Sequence, residues 1–144
     1  MLIRNLQRAT TTLGVLLIAL VVIEYSKSVA HEAAGAAHER LVFTAPLTNH
    51  PDSRMTAVVV SYEPGGKSPP HRHAGSVFAY VLSGSIRSQN SATGPSRVYH
   101  EGESFNEPEG SVHAISENAS ATEPASLLAV FVAPDGAQLT TKSE

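Results

Sequence analysis

From residue 41 onward the apolar positions fall in short runs and alternations rich in Val, Ile, Tyr and Phe, cut at short intervals by Gly, Pro, Asn and Ser. That period suits strands whose side chains alternate between two faces, and no long helical period competes with it. The pattern predicts strands over residues 41–45, 55–63, 77–82, 85–89, 97–100, 104–106, 112–116 and 126–132, with EPGGKSPP, NSATGPS, NEPEGS and NASATEPA as turns. So many strands joined by tight turns predict an all-β domain, an antiparallel sandwich or barrel of which the jelly roll is one form.

The first thirty residues follow a different pattern. Arg4 and Arg8 precede an apolar run at residues 13–23, and Ser28-Val29-Ala30 offers small residues where a signal peptidase reads. The expectation is a signal peptide over residues 1–30 and a periplasmic or secreted product. The run is shorter than the roughly 20 residues a helix needs to span a bilayer. An uncleaved anchor over residues 10–23 is the alternative, and would be the chain's only membrane association. Residues 31–40 read as a flexible lead-in, 41–136 as the barrel and 137–144 as a C-terminal tail.

Composition narrows the class. With 144 residues, 42% apolar and 16% charged, the chain suits one domain with a real core. Without residues 1–30 the net charge is −5, and no Lys/Arg cluster exists to neutralise phosphates, so a nucleic-acid partner is excluded. There is no cysteine, hence no disulfide and no thiolate for catalysis or metal binding.

Candidate chemistry centres on HRHAGSVFAYVLSG, residues 71–84. Residues i and i+2 of a strand share a face, so His71 and His73 point together, as a chelating pair must. Five residues separate Gly65 from His71, and Gly84 closes the apolar strand that follows. Further on, Gly102 is followed at fixed intervals by Pro108, Gly110 and His113. Together these positions resemble the two motifs of the cupin superfamily, G(x)5HxH(x)3–4E(x)6G and G(x)5PxG(x)2H(x)3N, over most of the chain from about Met55 to Val132.

The resemblance implies a single antiparallel jelly-roll β-barrel holding one divalent transition metal, among Fe, Mn, Ni, Cu and Zn, on His71, His73 and His113. It departs from the family at the first motif's glutamate, whose place is taken by Val77, with Phe78 at the alternative position. The second motif's final Asn would fall at Glu117, beside Asn118. Three arrangements fit. Three histidines can hold a metal with positions open to water or substrate; Glu107, just before Pro108, can replace the missing acid as fourth ligand or serve as general base; or the metal site is degenerate and the barrel takes an organic ligand. Val77, Phe78, Tyr80, Leu82 and Phe105 are expected in the core or barrel lining, and Arg72 outside it. The implied protein is an exported metal-binding cupin, an oxygenase or related enzyme acting on a small organic molecule, with a homodimer consistent with the family; the alternative is a non-catalytic module that binds or senses a small ligand.

Overall fold

The computed structural model describes Gly35 and residues 37–143. The expected signal peptide or anchor lies outside the described residues. Eleven strands follow one another: β1 (His38–Leu47), β2 (His50–Tyr62), β3 (Lys67–Ser68), β4 (His71–His73), β5 (Ser76–Ser83), β6 (Ser85–Asn90), β7 (Arg97–His100), β8 (Ser104–Glu107), β9 (Val112–Asn118), β10 (Ala125–Pro134) and β11 (Thr140–Lys142). They pair antiparallel in two sheets, in the orders β1-β2-β10-β5-β8 and β11-β4-β9-β6-β7, with β3 also on β9. This is the expected all-β jelly-roll barrel.

All eight expected strands are present. The differences lie at the ends and in the short pieces. β1 begins at His38, inside the expected lead-in, because it pairs with β2 back to Ser61. Part of the expected tail is β11, whose Thr140, Thr141 and Lys142 pair with His73, Arg72 and His71. Its sequence, TTK, is too short and polar to show a period, and only the partner strand makes it a strand.

The motif glycines punctuate the fold. Gly65, Gly84, Gly102 and Gly110 all have positive φ, between 69° and 85°, where a side chain is strained. Gly84 is the most constrained, since a Cβ there would also lie 2.6 Å from the Pro124 carbonyl oxygen.

Alternation along β5 puts Val77, Ala79 and Val81 inside, at most 2% exposed. Phe78, Tyr80 and Leu82, expected in the core or lining, point outward and are 49%, 38% and 40% exposed. Phe105 is buried as expected.

Candidate metal centre

The site is assembled by register. In the first sheet, Thr56, Phe131, Val77 and Glu107 are successive cross-strand partners on β2, β10, β5 and β8, and share the inner face. In the second, His71 on β4 lies opposite His113 on β9, which lies opposite Asn90 on β6. His71 and His73 are both inside, with Arg72 exposed between them. Glu107 therefore stands directly across from Val77. A carboxylate on the neighbouring strand thus shares the inner face with the position where the family pattern has its glutamate.

His71, His73, Glu107 and His113 are 3–8% exposed, and each offers one donor atom within 4.8 Å of the others. The His71 ring centroid lies 4.7 Å from that of His73 and 5.0 Å from that of His113. One oxygen, Glu107 Oε2, faces His113 Nδ1 at 2.8 Å, His73 Nε2 at 3.6 Å and the Asn90 amide nitrogen at 3.5 Å.

Outer partners orient the rings. His71 Nδ1 lies 2.7 Å from the Pro69 carbonyl oxygen, which can only accept, so the proton sits on Nδ1 and the Nε2 lone pair is free. His73 is held likewise, its Nδ1 3.2 Å from the Leu139 carbonyl and 3.2 Å from Thr140 Oγ1. His113 is reversed: Ser88 Oγ is 2.8 Å from its Nε2, leaving Nδ1 toward Glu107. The two motif loops are also tied together, Arg72 Nη1 donating to the Gly110 carbonyl at 2.6 Å and the Gly110 amide donating to the His73 carbonyl at 3.1 Å.

These residues fit a divalent transition metal. His113 Nδ1 is buried and has no hydrogen-bond partner, although Glu107 Oε2 is 2.8 Å away, so that contact lacks hydrogen-bond geometry. Two donors held so close without bonding are spaced like ligands of one ion, since groups about 2.1 Å from a metal stand about 3 Å apart at right angles. Protonation states agree. Burial opposes the Glu107 charge most strongly, yet contact with His113 and the charges of His113, His73 and His71 outweigh it and hold the carboxyl below its ordinary range. Burial likewise keeps the His73 imidazole below its ordinary value, against the pull of Glu107. A neutral imidazole and an ionised carboxylate are the metal-binding forms.

The structure brings together all four residues expected from the sequence. Ser88, Asn90 and Thr140 were not expected there. Ser88 and Asn90 alternate with Ile86 on β6, a period-two signal that could have placed them inside, whereas nothing in the sequence marks Thr140. A β-bulge in β9 also matters: Gln89 pairs with Ile115 but Asn90 pairs with His113, so β9 carries one extra residue. The extra residue moves the inward phase from His113 to Ser116 and Asn118, and accounts for an Asn one position later than the family spacing. Asn118 donates to the Glu63 and Glu123 carbonyls at 3.1 and 2.7 Å and accepts from the Ser120 amide at 2.9 Å, a structural role.

A two-sheet barrel with three histidines and one glutamate buried between the sheets defines a small metal-binding β-barrel protein. The chain belongs to the cupin family: the cupin-domain model matches residues 58–131. No curated protein matches the sequence. Among solved structures, a conserved double-stranded β-helix protein from Klebsiella pneumoniae is 24% identical, with 76% of this chain and 86% of that one covered and a TM-score of 0.57. An RmlC-like cupin from Shewanella frigidimarina is 20% identical over 71% and 80% of the two chains, TM-score 0.54. The DMSP lyase DddQ from Ruegeria pomeroyi is 20% identical over 72% of this chain and 52% of its own, TM-score 0.55. At these identities the likeness concerns the fold.

Proposed function

We propose that this cupin is a metal-dependent enzyme, an oxygenase or a related activity, acting on a small organic molecule. The observation that carries the reading is the convergence of four buried donors, one of them with no other partner. His71, His73 and His113 would hold the ion, with Glu107 Oε2 as fourth ligand. The bound metal supplies Lewis acidity and, where the metal is Fe, Mn, Ni or Cu, redox capacity. Ser88, Pro69 and Leu139 keep the rings aimed, and Val77 and Phe131 leave an apolar wall that excludes water. A lyase fold-mate is consistent with chemistry on small organic substrates, though fold does not select the reaction.

Metal analysis of purified protein after metal-replete expression tests this. About one ion per chain is expected, lost in His71→Ala; a metal-free wild type would overturn the reading. The burial of all four donors favours a second one, a sealed site that binds or senses without turnover. Azide added to the Co(II)-loaded protein separates them, since only an accessible coordination position changes the visible spectrum.

Export rests on residues 1–30 and is tested by fractionating cells that express the full chain. A homodimer is supported by the first sheet, which exposes Phe78, Tyr80, Leu82 and Val132 on the outer face of β5 and β10 and Leu41, Val42 and Phe43 on its edge strand β1. Light scattering of wild type against Phe78→Glu tests it, with a shift to monomer expected.

A further inference from the structure

A cavity of about 240 Å³ is lined by Arg54, Thr56, Ala133, Asp135, Ala137 and Leu139 among others. Its place follows from register. Thr56 belongs to the same inner row as Phe131, Val77 and Glu107, and Arg54 lies one step further along β2, opposite the buried Ala133. The cavity borders the metal centre through Leu139, whose carbonyl holds His73 Nδ1; Phe131, the cross-strand partner of the lining Thr56, has its ring 5.1 Å from that of His73.

Arg54 is fixed here with donors to spare. Its Nε donates to Asp135 Oδ1 at 2.7 Å and its Nη1 to Thr44 Oγ1 at 3.2 Å, while Thr44 Oγ1 lies 3.4 Å from Thr56 Oγ1. Of the five N–H groups of a guanidinium, these two have partners among the described residues. Asp135 is itself anchored through its backbone amide, which donates to the Asp52 carbonyl at 2.9 Å. The pair thus holds the guanidinium in place while Nη2 and the second N–H of Nη1 stay available, and the side chain is 34% exposed.

We propose that this cavity is a subsite for the carboxylate of a small organic acid. Arg54 binds the carboxylate through its free Nη donors, the Thr56 hydroxyl supplies a further hydrogen bond, and Ala133, Ala137 and Leu139 cover the apolar body. A planar guanidinium suits a carboxylate better than a point charge does. Asp135 beside it disfavours a doubly charged group, so a monoanion fits best. The volume lies below the roughly 300–1,000 Å³ of pockets for larger ligands, which limits the molecule to a few carbons or one ring. This subsite names the substrate class of the proposed enzyme and rests on that reading for its purpose, while binding as such does not require the metal.

Calorimetric titration of the full chain, metal-free and Zn-loaded, with benzoate and its neutral analogue benzamide tests the proposal. Benzoate is expected to bind both forms, with benzamide about tenfold weaker or more, the loss typical of a charged hydrogen bond. Arg54→Gln should weaken benzoate about tenfold or more with melting temperature and metal content unchanged, and Arg54→Lys should recover part of the loss. Equal benzoate affinity in wild type and Arg54→Gln, or no benzoate binding to wild type, overturns the subsite. Benzoate binding only to Zn-loaded protein and independent of Arg54 also overturns it, and leaves the metal reading standing. Arg54-dependent binding by a wild type that takes up no metal leaves the subsite standing and removes the metal reading.

Discussion

On the inner face of the first sheet the buried side chains include Val58, Val77, Ala79, Val81, Leu127, Ala129 and Phe131; on that of the second they are His71, His73, Ser88, Asn90, His113, Ser116 and Asn118, with Ile86 the one large apolar side chain among them. One wall supplies hydrophobic burial and the other supplies polar groups that burial penalises unless they are paired. Most of the polar wall is paired: Ser88 with His113, Asn118 with three backbone groups, and Ser116 with the Tyr62 hydroxyl at 2.8 Å. The unpaired remainder is concentrated at His113 Nδ1, against Glu107. Cost and function therefore meet at one place. Glu107 is the first sheet's main polar contribution to that centre, reaching it from the strand beside Val77.

The largest expected effect comes from moving that contribution. Glu107→Val should weaken metal binding about 100-fold or more, beyond the 10–100-fold typical of losing an outer partner. Because Val77 and Glu107 are cross-strand partners, the double variant Val77→Glu, Glu107→Val returns a carboxylate from about 5 Å away, at the position the family pattern uses. Competition with a chromogenic chelator should place the double variant within about tenfold of wild type. Equal weakening in single and double variants would mean the two strands do not present interchangeable positions to one ion.

Much of this division was legible beforehand. Strong β-period segments such as β5 and β10 show in the sequence because one face of each is apolar, and the His71, His73 and His113 spacing matched motifs whose glycines all sit at turns. Glu107 was chosen by its place beside Pro108; its pairing with Val77 needed the register. What stayed hidden depends on pairing between distant segments. The TTK of β11 is ordered by β4, and the bulge at His113 reverses which residues of β9 face inward. Phe78, Tyr80 and Leu82 were misplaced because size suggested core, whereas alternation along β5 turns Val77, Ala79 and Val81 inward and leaves these three on the outer face.

A truncation away from the metal donors separates stability from binding. Ile86 and Val81 are both 0% exposed. Ile86→Ala should cost about 2–5 kcal/mol in urea unfolding, and Val81→Ala, which deletes one carbon fewer, less than that, while folded protein keeps its full metal content. Ser88→Ala should do the reverse: about tenfold weaker metal binding as His113 loses its orienting partner, with a smaller change in unfolding free energy. A Ser88 variant that melts early and binds metal normally would make the hydroxyl a packing element.

The smallest expected effect is a pH dependence of the metal-free protein, and it too divides the walls. His73 is held below its ordinary value of 6.5 by burial, and Glu107 below its ordinary 4.5, where its histidine neighbours outweigh burial. In both cases the unfolded chain takes up a proton at a pH where the folded chain does not, so lowering the pH favours unfolding. For His73 the loss begins as pH falls through the ordinary imidazole range; for Glu107 it begins lower, through the ordinary carboxylate range. Urea midpoints of metal-free wild type should therefore drop from pH 7.5 to pH 5.5, and His73→Phe should flatten that slope by removing the one of the two groups that acts in this window. Val81→Ala should lower the midpoint at every pH and leave the slope alone, because the substitution removes no group that titrates. A slope unchanged in His73→Phe would assign the acid sensitivity to groups outside the metal centre.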